Sequence, residues 1–412
     1  MRAFRTMVIG AGPAGLSAAA ELAASGTCLL LEEGAPARER SRTDAVDQLA
    51  GVGGAGLFSD GKHSFFPAAS ALWGLPDREA LEGAFAATSA LLAQFSVPSG
   101  PLPKAVTLPA PQADTWVPKA YPSIYVSLAD RFAIIEELME PVTERWCGAR
   151  VVGARREDSG IVVDVEHGDG HTERVRAESV VVAGGRWSPP AMRGWLERDL
   201  GVRFAFLRVE VGVRIEVPSD DALFARLPGV DGKLRFVDAA RGIEIRTFCT
   251  CRKGEIVLGE AAGLRAFSGR ADGPPSDRSN VGLLVRSRDA ALGSQVMRAL
   301  AQAEPVSFGL DAWRDDARLA ARLVPVMGEV GAGWLARARD TLLSYAPSLA
   351  HANGRVLAPA IEGVGDYPVD DGSLQLAPGV WVAGDACGRF RGIVAAMVSG
   401  RYVARRINQT LG

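Results

Sequence analysis

Five cysteines in 412 residues, at positions 28, 147, 249, 251 and 387, are few, odd in number and too scattered for a disulfide framework. A reducing cytoplasm is the expected setting. Excess charge is equally absent: 46 Lys and Arg against 48 Asp and Glu leave a net charge of -2. Without a broad basic field to hold a polyanion, nucleic acid is not expected as the main partner. No uninterrupted apolar segment reaches the ~20 residues of a membrane span. The N-terminal MRAFRTMVIGAGPAGLSAAAELAASG has the early arginines and small residues of a secretion signal, but Gly10, Gly12 and Pro13 break its apolar run where a signal needs continuity. What remains is the ordinary composition of a soluble globular chain, 48% hydrophobic and 23% charged. Its length suits two or three units, or one large α/β core with an insertion.

That same N-terminal stretch reads as strand, turn, helix and strand. Met7 to Ile9 is a buried strand, GAGPAG a tight turn, Leu16 to Ala24 an alanine-rich helix, and Cys28 to Leu31 a second strand ending in Glu32 and Glu33. In such a βαβ unit Gly10 permits the turn, Gly12 lets backbone approach a pyrophosphate, and Gly15 lets helix and strand pack closely. With Pro13 and Ala14 the turn sets phosphates on the helix N-terminus. Glu32, with Glu33 next in line, is placed to bond ribose hydroxyls and to disfavour a 2′-phosphate.

A second GxGxxG, at Gly51, Gly53 and Gly56 in GVGGAGLFSDGK, lacks that setting. The preceding SRTDAVDQLA is polar and reads as helical, and the following LFSDGKHSFF is no alanine-rich helix. Glycine is retained where backbone bends unusually or approaches something closely. The stretch is therefore expected to pack against a dinucleotide bound by the first turn, and no separate tight NAD(P) site is expected.

GAGPAG, Glu32, the GGAGLFSDGK loop, the strand VVVAGG at 180–185 and PGVWVAGDACGRFRGIVAAMVSG at 378–400 together resemble the glutathione-reductase-like FAD flavoproteins. GGAGLFSDGK, RTFCTC at 246–251 and RSNVGLLV are most similar to a bacterial family of FAD-dependent dehydrogenases, related to geranylgeranyl reductases and electron-transfer flavoprotein dehydrogenases. The resemblance is close over the first 65 and last 35 residues and rests on short motifs between them. It implies one FAD. The loop carrying Gly53, Gly54, Ala55, Gly56, Ser59, Asp60, Gly61 and Lys62 would run beside the flavin, with Gly184 nearby. Gly384 and Asp385 would meet the ribityl and pyrophosphate portion.

The residues support the C-terminal assignment independently. Val380 to Ala383 reads as a buried strand, and Gly392 and Ile393 open a helix whose N-terminus offers free N–H groups and positive potential to the strand-end crevice.

The fold class expected is α/β, a Rossmann-like FAD-binding domain with an inserted α+β substrate domain. Residues 1–66, 123–195 and 354–412 form the discontinuous FAD-binding domain, with 67–122 and 196–353 as substrate domain and lid segments. Within the first, 128–146 reads as a helix, and 149–155, 161–166 and 172–177 as strands. Their turn carries His167 and His171, read as solvated. The segment 98–122 holds seven of the 24 prolines and suits neither helix nor central strand, leaving a lid or a surface wrap. The loop 268–280 has no apolar residue to anchor its middle and is expected to be mobile. Alternating strands fill 204–260, with helices around 289–303, 311–323 and 331–345.

For catalysis, His63 is the acid-base candidate, since imidazole titrates near neutrality. Covalent flavin attachment through His63 or Cys387 has no support beyond proximity. Cys249 and Cys251 lie two apart in a strand. Regular geometry separates such residues by roughly 6.5 to 7 Å, at the limit for a disulfide, so a dithiol relay is not expected. They would pack on the face of Ile243 and Ile245, or Cys249 would face substrate. Zinc lacks its remaining ligands nearby. Arg246, on the opposite face with Phe248, is placed to hold an anion or carboxylate, or else to form a salt bridge. Arg389 and Arg391 precede the flavin-facing helix and suggest an acidic substrate or a stabilised flavin anion; the related family carries small or aromatic residues there.

The function expected is an FAD-dependent oxidoreductase, a dehydrogenase or reductase, moving a hydride through flavin N5 on a small, carboxylated organic substrate. The electron partner is left as NAD(P)H or a protein. A flavin monooxygenase is the first alternative, but GDACGRFRGIVAAM lacks the His, Pro and Gly-rich continuation such enzymes show. An accessory, non-catalytic flavoprotein is the second.

Overall fold

The computed structural model describes residues 1–103, 112–119, 121–227 and 229–411. Its first sheet is built on five parallel strands, Arg2–Ile9, Cys28–Leu31, Glu144–Trp146, Thr172–Val182 and Val380–Val382. Taken in chain order as strands 1 to 5, they lie side by side as 3-2-1-4-5. That is the Rossmann order, and its reversal point lies between strands 1 and 4, where the strand ends part and leave a crevice. Met7–Ile9, Cys28–Leu31, Val180–Val182 and Val380–Val382 are buried apolar runs at the centre of this sheet. The helices Pro13–Ala23 and Ile393–Leu411 pack on each other, and the Cβ of any residue replacing Gly400 would fall 2.0 Å from the Ala14 carbonyl oxygen.

The antiparallel excursion Ala149–Glu157 and Gly160–His167 returns along Thr172–Val182. That one strand pairs back with Gly160–His167 and then runs on between Arg2–Ile9 and Val380–Val382.

The second sheet has seven strands, among them Phe204–Pro218, Lys233–Asp238, Ile243–Cys251, Arg278–Ser287 and Arg355–Pro368. Period-two alternation sorts its faces. Val209, Val211, Val213 and Ile215 join Ile243, Ile245, Leu283 and Val285 in one apolar core with the helices Ala290–Leu300 and Asp316–Tyr345. The other face carries Arg208, Glu210, Arg214, Glu244, Arg246 and Arg286, and looks toward the strand ends of the first sheet.

Several expectations are corrected. The helix at 128 stops at Met139, because Pro141 has no N–H to continue the helical ladder, and Glu144–Trp146 becomes the third parallel strand. Residues 44–50 form turns rather than helix, since the Asp44 carboxylate accepts the Val46 and Asp47 amides. His167 is packed rather than solvated, its ring 5.3 Å from Trp146 and 5.9 Å from His171. Of 268–280, read as a loop, 268–270 and 278–280 are strand, and the remainder is anchored electrostatically: Asp272 pairs with Arg42 at 2.6 Å and with buried Arg131. Of the proline-rich segment, 104–111 and 120 lie outside the described residues. Val117–Lys119 is an edge strand beside Lys233–Arg235, a position where Pro118 costs no ladder bond.

Candidate functional site

The crevice at the strand ends opens into a cavity of about 900 Å³ that continues to the charged face of the second sheet. At its base is the first glycine turn. The helix Pro13–Ala23 begins there with Gly12 as its cap and no side-chain hydrogen bond, so the amides of Ala14 and Gly15 have no side-chain acceptor. Gly12 lines the cavity, and a Cβ on it would meet nothing nearer than the Gly54 Cα at 3.9 Å. A Cβ on Gly15 would instead lie 1.8 Å from the Gly10 oxygen. Gly12 thus keeps space open for a ligand, and Gly15 keeps the helix seated.

Buried Glu32 ends the second strand. Its carboxylate accepts the amides of Ala11 at 2.7 Å, Gly34 at 2.9 Å and Gly51 at 3.0 Å, joining the two glycine stretches. One of roughly four lone-pair positions remains. The second stretch seats on the first, with the Gly53 amide donating to the Ala11 carbonyl at 2.8 Å.

Opposite, Gly384 and Asp385 follow Val380–Val382, and the helix Ile393–Leu411 starts at the cavity wall. One Asp385 oxygen takes the guanidinium of Arg391 at 2.9 and 3.0 Å, and its other oxygen is buried without a partner. A cradle without side chains, an uncapped helix start and an unpartnered carboxylate oxygen suit a long, polar, phosphate-bearing ligand.

Most of the residues singled out from sequence line this cavity: Gly10, Gly12, Pro13, Ala14, Glu32, Glu33, Gly54, Ala55, Gly56, Ser59, Asp60, Lys62, Gly184, Gly384, Asp385, Gly392 and Ile393, together with Arg246, Cys249, Arg389 and Arg391. Gly15, Gly53, Gly61 and His63 lie behind its wall. His63 does not fit the acid-base expectation. In the short strand Lys62–Ser64 alternation turns Lys62 to the cavity and His63 into the core, where it is 1% exposed. Burial, with Arg131 beside it, pushes the imidazole down to about 4. Cys387 is also buried outside the cavity, so neither residue lines its wall.

The three arginines are engaged within the protein. Arg246 pairs with fully buried Glu210, which also takes Arg286 at 2.9 Å and Arg208 at 3.4 Å. These arginines hold the Glu210 carboxyl far below its ordinary range despite burial. Arg389 pairs with Asp370, and Arg391 with Asp385 and Glu362. Lys62 sits 3.0 Å from Asp60 and 3.6 Å from Asp231, and donates to the Thr250 carbonyl, tying the glycine loop to the second sheet.

Cys249 departs most from expectation. It adopts φ +49° at a bulge, so the regular strand spacing fails, and the Cys249 and Cys251 sulfurs lie 3.6 Å apart.

Sequence reasoning missed Lys119, Lys233, Arg208, Arg286 and Glu362, all on the cavity wall. The alternation of Phe204–Pro218 could have exposed Arg208; Lys119, inside a proline-rich segment, gave no pattern. Among the described residues, twelve Lys and Arg against seven Asp and Glu line the cavity, which favours an anionic ligand. Burial and then Arg246, Lys233 and Arg235 push the Lys119 amine down to about 8, and it has no ion-pair partner among the described residues.

No protein-family model matches the chain, and no curated protein sequence does. Among solved structures, the chain is similar to AlpK (15% identity, TM-score 0.42, 98% of this chain and 61% of that one). It is also similar to a geranylgeranyl bacteriochlorophyll reductase-like protein from Thermoplasma acidophilum (13%, 0.45, 100% and 79%). A third likeness is to p-nitrophenol 4-monooxygenase from Pseudomonas putida (14%, 0.42, 100% and 81%). The chain thus spans less than two thirds of AlpK. Likeness at this level decides neither substrate nor reaction.

Proposed function

We propose that this chain is an FAD-dependent oxidoreductase acting on a small organic anion. The observation that carries the reading is the single cavity joining a βαβ glycine turn, with its acid Glu32, to a cationic sheet face. Amides at the start of Pro13–Ala23 would hold the pyrophosphate, with Gly12 giving it room. Glu32 and Glu33 would receive the adenosine ribose, and the free oxygen of Asp385 a ribityl or ribose hydroxyl. FAD, when bound, supplies hydride acceptance and donation at its N5 position.

The remaining chemistry belongs to the chain. Arg391 and Arg389 brace the turn before Ile393–Leu411, held by Asp385, Glu362 and Asp370. The cationic face orients a substrate carboxylate and excludes water around it. Lys119, with its lowered pKa, is the group that would take or return a proton at Nζ. NAD(P)H or an electron-carrier protein would meet the flavin transiently.

The test is spectral. Protein purified from cells grown with ample riboflavin should be yellow and release one FAD per chain on denaturation. A colourless chain that takes up no FAD on dialysis would end the proposal. For the reaction, the reduced protein would be mixed with a panel of unsaturated and keto carboxylates and flavin reoxidation followed without oxygen. Lys119→Met should abolish a pH dependence near 8 in the rate.

A further inference from the structure

We propose that Cys249 and Cys251 form a redox-active pair that exchanges with small disulfides entering the cavity. The chain distinguishes them from Cys28, Cys147 and Cys387 by position. Cys249 sits on the cavity wall, and Cys251, fully buried, lies directly behind it with the sulfurs 3.6 Å apart. This approach depends on the bulge between Phe248 and Cys251 and on the left-handed backbone of Cys249, which turn both sulfurs to the same point. A non-glycine residue held at positive φ is a strained conformation, and such strain gathers at functional sites. The surroundings are polar. Asp60 accepts from the Cys249 thiol at 3.0 Å, the Lys62 ammonium lies 3.0 Å from Asp60, and the Arg214 guanidinium donates to the Cys249 carbonyl at 2.9 Å. The close contact of the two sulfurs raises the Cys249 thiol and lowers the Cys251 thiol, with Lys62 and Arg214 helping the latter, so Cys251 ionises first and the reacting form of the pair carries one proton and one negative charge. The inference is independent of what else the cavity binds.

The exchange balances as follows. Cys249, its proton passing to Cys251, attacks one sulfur of a disulfide RSSR; a Cys249–S–R bond forms and RS⁻ leaves. Cys251 then gives its proton to that RS⁻ and attacks the Cys249 sulfur, and the second RS⁻ leaves as the Cys249–Cys251 bond forms. One thiol, one thiolate and RSSR yield one protein disulfide, one RSH and one RS⁻, with two electrons passing to the small disulfide. Reduced thiol reverses every step.

Trypsin places both cysteines in one peptide, Thr247–Arg252. The full-length protein would be equilibrated with oxidised glutathione, quenched with acid, alkylated in denaturant and mapped by mass. The expected result is that peptide lighter by two hydrogens and unalkylated, returning to the doubly alkylated form after reduced glutathione. Cys251→Ser should instead keep a stable glutathione adduct on Cys249, and Cys249→Ser should leave buried Cys251 unreacted. Lys62→Met should slow iodoacetamide capture of the pair at neutral pH by about tenfold. The proposal is overturned if Thr247–Arg252 stays doubly alkylatable while unfolded protein reacts under the same conditions. It is equally overturned if both thiols are blocked by stoichiometric zinc that a chelator removes.

Discussion

Gly12 and Gly15 stand three residues apart and answer to different constraints. A methyl on Gly12 enters open cavity, while one on Gly15 enters the Gly10 carbonyl. Gly12→Ala should therefore melt like the parent but lose FAD, and Gly15→Ala should lose about 1–3 kcal/mol of stability from overpacking whether or not FAD is present. Paired melting curves with and without cofactor separate the two. His63 gives a second residue-level test. Its folded pKa, about 4, lies below the 6.5 of the free side chain, so folding favours the neutral ring. The associated stability is fully present above pH 6.5 and is lost as pH falls to about 4, a span worth about 3 kcal/mol. Urea titrations across that window should show a shallower slope in His63→Gln than in the parent. A parallel pair of slopes would remove His63 as the cause.

The turn between Val380–Val382 and Ile393–Leu411 shows how one element can be legible while its side chains are not. Strand, turn and helix were readable because each is written in local periodicity. The partners of Arg389 and Arg391 were not, because Asp370 and Glu362 reach the turn from the preceding segment and from another sheet. Arg391→Met should cost about 3–5 kcal/mol, since it leaves Asp385 without a counter-charge and Glu362 with Arg186 alone. Chemical denaturation reads this directly; an arginine that only met substrate would leave stability unchanged. The same limit governs Ile243–Cys251. Alternation placed Arg246 and Ile245 on opposite faces, but the bulge that joins the two sulfurs is set by pairing with Arg278–Ser287, which spacing does not encode. Glu144–Trp146 was missed because three residues give no period, and His63 was misassigned because a strand that short hides which neighbour faces in.

At the scale of the whole molecule, a parallel sheet and an antiparallel sheet face each other across one cavity, so ligand binding and folding are coupled. FAD at about 100 times its dissociation constant should add about 2.7 kcal/mol to unfolding. FMN, lacking the adenylate half that Glu32 and the Pro13–Ala23 helix would grip, should raise the melting temperature less at equal concentration. Equal shifts would relocate the site to the flavin end alone. The carboxylate of Glu32 carries a further consequence, for time rather than affinity. It ties Ala11, Gly34 and Gly51, three amides from separate stretches of chain, to one side chain. In deuterated water these amides should exchange slowly and together in cofactor-stripped protein, and Glu32→Ala should release all three at once. The mould is then cast when the chain folds, and a dinucleotide enters it without waiting for the loops to set.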